Sequence, residues 1–369
     1  MNQLFGWKQT GLFLLALAAG ILPFAVPEVC AAALREGLTL CSGPLLLSLF
    51  PFLVVSRLLV QCPESDLLAL PFRLAAWGIG IRTPCAARVL CIGFLGGFAP
   101  AASAAAQAVR TGQLTAEEAD ALLPACICSG PSFVVLTVGQ SLLGSAELGV
   151  LLFASQITAN YLTAALPNRF AGVRSVKPGS AAPASPAPPR LDEILADAAI
   201  TYCKLCGFIL FFRMLAAGAG ALLPAGAGTL CSILLEVCSG CDLASRTGRW
   251  GSLLCCAALS VQGLSVLLQV RTICPPEMTL RPLYRSRMLH LPLSLALFYL
   301  LLPGGEADVF STLPARVLLM RRVPPDCALL VFAVCCMAAC TLRSGIRQVE
   351  QKQMARNAGG CCINSKTLL

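Results

Sequence analysis

Charged side chains make up only 12% of this 369-residue chain, and that scarcity constrains the fold more than any single motif does. A soluble domain carries about 25% charged residues, so half that density leaves a folded surface of this size without polar cover. With 57% of residues hydrophobic, the composition excludes a soluble enzyme, a nucleic-acid binder and a disordered scaffold. What remains is an all-α polytopic membrane protein, its outer surface facing lipid and its backbone satisfied within helices. The lipid bilayer is the first expected partner. No nucleic acid is expected despite the net charge of +9, because the basic residues lie between and after apolar runs, where cytoplasmic loops hold them.

The 21 cysteines lie mostly inside apolar stretches, among them Cys255, Cys256, Cys335, Cys336 and Cys340, and read as small apolar side chains. The single histidine, His290, opens an apolar run after a basic loop and is expected at the membrane interface. Cys126 and Cys128 form a tight pair without histidine or carboxylate neighbours, so no metal site and no cofactor are assigned.

Six regions follow along the chain. Residues 1–37 hold an N-terminal membrane helix, its apolar run at Leu12–Val26 read as retained rather than as a signal peptide. Residues 38–168 begin with a span at Leu38–Val60 and an interrupted segment at Leu67–Ile81. A stretch rich in glycine and alanine follows at Val89–Val109. After the polar loop Arg110–Asp120, Thr115 with Glu117 and Glu118 reads as a helix start. The next apolar run, Leu122–Leu143, is interrupted at Ser129-Gly130-Pro131, and Leu148–Leu166 follows. Residues 169–192 form a Pro/Ala-rich linker without capacity to pack a core. Residues 193–274 are a second apolar region, and 275–342 hold the C-terminal membrane helices after a basic loop at 275–287. The tail, 343–369, carries five basic residues against Glu350, which places it in the cytoplasm on the same side as that loop.

The regions on either side of the linker resemble each other. Pro51-Phe52-Leu53-Val54-Val55-Ser56-Arg57-Leu58-Leu59 aligns with Gly207-Phe208-Ile209-Leu210-Phe211-Phe212-Arg213-Met214-Leu215. Arg110-Thr111-Gly112 aligns with Arg246-Thr247-Gly248, and Ser129-Gly130-Pro131-Ser132 with Gln262-Gly263-Leu264-Ser265. Three matches in one order indicate an internal duplication. The first Arg-Thr-Gly turn is followed by acidic residues and the second by Arg249. This opposite charge balance predicts an inverted repeat, as in many secondary transporters.

Helix breaks at membrane depth expose backbone groups that lipid cannot satisfy, so they occur where protein, a cavity or a substrate does. The candidates are Gly96-Gly97-Phe98 with Pro100, Cys128-Ser129-Gly130-Pro131, Cys238-Ser239-Gly240 and Gln262-Gly263. Gly97, Ser129, Gly130, Pro131, Ser239, Gly240 and Gly263 are therefore expected to line a substrate site, glycine permitting the unwound backbone and serine supplying hydroxyls. Glu236, in an apolar run directly before Cys238-Ser239-Gly240, is an intramembrane carboxylate. It would bind a cation, accept a proton, hydrogen-bond a substrate or hold a neighbouring helix. Arg57 and Arg213 either clamp a dicarboxylate together or extend to the interface. Gln156 and Asn160 lie one turn apart and either line a pore or join two helices. There is no catalytic constellation of nucleophile, base and orienting group, and no enzyme activity is expected.

These segments fall in the order found in one family. Leu49-Phe50-Pro51-Phe52, Ser129-Gly130-Pro131-Ser132-Phe133, Gly207-Phe208-Ile209, Leu235-Glu236-Val237 with Ser239-Gly240, and Gly263-Leu264-Ser265-Val266 carry the likeness, over roughly residues 40–300. The chain resembles the YlbJ-type sporulation integral membrane proteins, which carry the nucleoside-recognition (gate) domain. Where the family pattern reads Ser-Gly-Tyr-Pro-x-Gly-Ala, this chain has Gly96-Gly97-Phe98-Ala99-Pro100-Ala101-Ala102: Gly97 and Ala102 match, Phe98 is a conservative change and the proline is displaced by one. The resemblance implies two gate-like repeats with broken or re-entrant helices. It also implies a place in the outer forespore membrane of a spore-forming bacterium and transport of dipicolinic acid towards the forespore. A nucleoside-type transporter and a non-transporting assembly protein of sporulation are the alternatives, and a homo-oligomer is compatible with each.

Overall fold

The computed structural model describes residues 2–61, 65–171 and 191–302. Most of the linker, the span expected at Ala328–Leu342 and the basic tail lie outside the described residues.

Among the described residues the chain is helical, without strands. The helices are α1 (Asn2–Ala25), α2 (Pro27–Ser42), α3 (Pro44–Gln61), α4 (Ser65–Leu68), α5 (Leu70–Ile79), α6 (Pro84–Gly96), α7 (Phe98–Arg110) and α8 (Ala116–Cys126). A wide π-helix at Ser132–Leu142 follows. Then come α9 (Ala146–Ala171), α10 (Leu191–Leu222), α11 (Ala225–Leu235), α12 (Val237–Ser245), α13 (Gly251–Val261), α14 (Gly263–Ile273) and α15 (Arg281–Leu301). Among the described residues three stretches are long and apolar enough to cross a membrane: Ala146–Asn168, Leu191–Leu222 and Gly248–Ile273. Two bent helix pairs, α1 with α2 at 108° and α5 with α6 at 106°, raise the number to five if each is one span. The protein is an all-α polytopic membrane protein.

Proline and glycine set most of the boundaries. Pro27 and Pro84 sit in the first turns of α2 and α6, where a missing N–H costs nothing. Gly80 ends α5 in a left-handed conformation, φ 96°. The expected single span Leu38–Val60 is two helices, since the chain leaves α2 at Ser42 and restarts at Pro44. The helix start read at Thr115 is a full capping box. The Thr115 hydroxyl accepts from the Glu118 N–H at 3.1 Å, and the Glu118 carboxylate accepts from the Thr115 N–H at 3.1 Å.

The segments on either side of the linker share an order of helices and breaks. In the first copy, α6, a break at Gly97, α7, the Arg-Thr-Gly turn, α8, a second break and the π-helix follow in order. In the second copy, α11, a break at Glu236, α12, the Arg-Thr-Gly turn, α13, a break at Gln262 and α14 repeat that order. The two turns lie beside different stretches of α10, residues 197–208 and 213–221. Arg110 shares a cavity with Thr201 and Lys204, whereas Arg246 shares one with Gly220 and Ala221. Lys204 and Gly220 are about 24 Å apart along the helix axis at ~1.5 Å per residue.

One apolar core joins the two copies, drawing on α6, α7, α8, the π-helix and α9 on one side and α12, α13, α14 and α15 on the other. In α7, residues Ala99, Ala101, Ala102, Ala104, Ala105, Ala106 and Ala108 are all buried. Small side chains let the helix axes approach closely, which is the main source of packing energy where lipid removes the hydrophobic drive.

Candidate functional site

The first break turns on Gly97, whose φ of 81° and ψ of −164° only glycine adopts readily. A Cβ there would lie 2.7 Å from the Gly130 nitrogen, so the first break rests directly on the second. The second copy repeats the contact. Gly263, φ 70°, would bring a Cβ to 2.9 Å from the Glu236 nitrogen. Within each copy, then, the two breaks touch backbone to backbone.

Gln262 joins the copies. It is 1% exposed and held left-handed at φ 61°, a strained state for a residue with a side chain. Its Nε2 donates to the carbonyl of Ile127 at 3.2 Å, and Asn160 Nδ2 donates to the same oxygen at 3.4 Å. An unwound carbonyl of the first copy is thus satisfied by amides from α9 and from the second copy, as the absence of water demands. The Gln262 Oε1 is buried without a partner.

Glu236 is 2% exposed and extended, φ −149° and ψ 125°. Its carboxylate caps α12, accepting the N–H of Cys238 at 2.9 Å and of Ser239 at 2.7 Å. This moves the third break from its expected place. Cys238, Ser239 and Gly240 form the first turn of α12, and the chain unwinds two residues earlier because the carboxylate satisfies the new helix's amides. Gly240 serves packing instead, since a Cβ there would meet the Ile233 Cα at 2.8 Å.

The structure brings Gly97 and Gly130 together, brings Glu236 and Gly263 together, and links the two sets through Gln262. Ser129, 8% exposed, and Pro131 complete the second break. Arg57 and Arg213, in contrast, do not converge, and a shared clamp on one dicarboxylate is not formed. Arg57 bonds Asp197 at 2.6 Å, Thr201 at 3.2 Å and Ser103 at 3.3 Å, tying α3, α7 and α10 together. It lines a cavity of about 140 Å³ in which Arg57, Arg110 and Lys204 face a single carboxylate, Asp197. Gln269, 2% exposed, lines the same cavity with an unpartnered Oε1. Arg213 pairs with Glu36 at 2.7 Å in a second cavity of about 480 Å³, which Ser239, Asp242 and Arg246 also line. These arginines, aligned in the sequence, each make an ion pair in a separate cavity beside α10.

Other residues depart from the sequence reading. His290 is not interfacial: it is fully buried and its Nε2 meets the Gln156 carbonyl at 3.2 Å. Only 275–280 of the expected basic loop is loop, because Arg281–Arg287 open α15. Asp120 holds that loop, accepting from the Thr279 N–H at 2.8 Å, its hydroxyl at 2.6 Å and the Leu280 N–H at 3.1 Å. Gln156 and Asn160 join helices, Gln156 reaching Ser260 at 3.0 Å. Asp197, Arg110 and Lys204 were not singled out by the sequence. Asp197 and Thr201, one turn apart on an apolar helix, were the available signal. Cys203 with Cys206 and Cys238 with Cys241 carry Cys-x-x-Cys spacings. Their thiols are free, and among the described residues no group of three or more histidine, cysteine or acidic side chains is placed to hold a metal.

In comparisons with known proteins, the chain matches no family model, no curated protein and no solved structure.

Proposed function

We propose that this protein is a secondary transporter or facilitator that moves a small polar or anionic solute across a membrane. The observation that carries the reading is the meeting of four helix breaks at one place, two from each side of the linker, with cavities beside two different stretches of α10. Broken helices at a repeat interface are how membrane transporters present backbone groups to a solute. The excess of cations in the Arg57 cavity supports an anionic substrate. Transport proceeds by one repeat moving against the other, with the break glycines as the contact that shifts.

The family resemblance supplies the finer reading: dipicolinic acid is carried across the mother-cell-derived outer forespore membrane during sporulation. Deletion of the gene in its spore-forming host tests this, the expected result being spores depleted of dipicolinate. Spores with a normal dipicolinate content would remove that substrate. A nucleoside-type transporter is separated by competition, since excess uridine would then block uptake and dipicolinate would not.

A second reading, a non-transporting assembly protein, is favoured by one observation. Both Glu236 oxygens are engaged by the protein's own backbone, leaving a closed contact rather than an open ligand site. We prefer transport because rigid packing alone gives no reason for an inverted repeat with four matched breaks.

A further inference from the structure

Arginines are rare in this chain's interior, and those that enter it are paired. Among the described residues the buried Arg57 and Arg88 and the partly buried Arg213 each meet a carboxylate within 3.1 Å. Arg287 is the exception. It is 8% exposed, lies two turns inside α15 and makes no ion pair. Its Nη2 donates to the Pro124 carbonyl at 3.3 Å and to Asn160 Oδ1 at 3.0 Å. Both acceptors are neutral, so they orient the guanidinium without cancelling its charge. The N–H groups on Nε and Nη1 are sealed from solvent and have no partner. One turn further along the same helix face, His290 engages the Gln156 carbonyl through Nε2, which must be its N–H because a carbonyl only accepts. His290 Nδ1 is a second sealed polar atom without a partner.

A structural role accounts for only part of this. A guanidinium near the last carbonyls of α8 interacts favourably with that helix end, and Nη2 fulfils that role. It does not explain two further nitrogens left unsatisfied beside another unsatisfied ring nitrogen, nor an uncompensated charge among buried helices. Such a charge is costly and marks a site whose partner is to be named.

We propose that Arg287 forms a buried binding position for a small carboxylate, reached when α15 parts from α8 and α9, with Nε and Nη1 as the donors. A planar carboxylate matches the donors of a guanidinium in shape as well as charge. The Ile127 break is anchored by the same Asn160 that holds Arg287, so occupancy would be felt at the meeting point of the breaks. This inference stands apart from the transport reading, because it rests on an unpaired charge and not on the helix breaks.

The test is thermal unfolding of the full-length protein in nanodiscs, in sodium acetate or sodium benzoate against sodium chloride at equal ionic strength. The expected result is a carboxylate-specific rise in Tm of about 2 °C or more at saturation. Arg287→Gln should abolish that rise while its Tm in chloride stays level or increases, because an uncompensated buried charge has been removed. Arg287→Lys, which keeps the charge without the planar donors, should retain only part of the rise. A wild-type Tm that carboxylate does not move beyond chloride overturns the proposal. So does a carboxylate response that persists in Arg287→Gln. If Arg287→Gln does not fold, a full response in Arg287→Lys overturns it equally. Uptake of solute by wild-type protein with no such Tm response would sink this site and leave the transport reading standing.

Discussion

At position 236 a carboxylate stays buried because the helix that follows it supplies two N–H groups and the positive end of its dipole. Glutamine keeps one acceptor and turns an amide N–H₂ towards the other donor. Glu236→Gln should therefore lower stability by about 1–2 kcal/mol. Melting in detergent reads this, and a wild-type Tm would contradict the capping role. Asp120 makes three bonds to the loop before α15, and Asp120→Ala should cost about 2–3 kcal/mol in the same assay by leaving two backbone amides unsatisfied. At this scale the sequence was legible where a residue was rare. A lone glutamate in an apolar run stands out, but its partners do not, since they depend on where α12 begins. His290 was misread for a related reason. A basic loop and the first turns of a helix look alike in composition, and burial against α8 and α9 is a non-local fact.

Among the elements, the breaks were the best-read feature, because glycine and proline announce an unwound backbone through their own dihedral limits. Gly97, Gly130 and Gly263 were placed correctly, whereas the break at Glu236 came two residues early because a side-chain cap, not a glycine, produces it. The π-helix was not legible: its width follows from close packing, a Cβ on Gly139 falling 2.4 Å from the Gly149 Cα. The account makes a paired prediction. Gly97→Ala and Gly263→Ala should each cost at least about 2 kcal/mol, combining a forbidden dihedral with a backbone clash. Gly207→Ala, where nothing lies within 4 Å inside α10, should instead stabilise by about 0.5–1 kcal/mol. Equal effects at all three positions, read by thermal unfolding, would refute the assignment of the breaks.

Across the whole molecule, the opposed repeats make a topological claim. The sequence offers it as a charge imbalance between two turns, and the structure places those turns beside different stretches of α10. Glu117 and Arg249 are exposed residues beside the first and second Arg-Thr-Gly turns. In a variant with the native cysteines replaced by serine or alanine, Glu117→Cys and Arg249→Cys should react with a membrane-impermeant thiol reagent from opposite sides of a sealed vesicle. Labelling of both from one side would contradict the inversion. Transport is tested by uptake of labelled dipicolinate into proteoliposomes holding the purified full-length chain. The expected result is saturable uptake that unlabelled dipicolinate competes away. Uptake no faster than in protein-free liposomes, from protein shown to be folded, would contradict it.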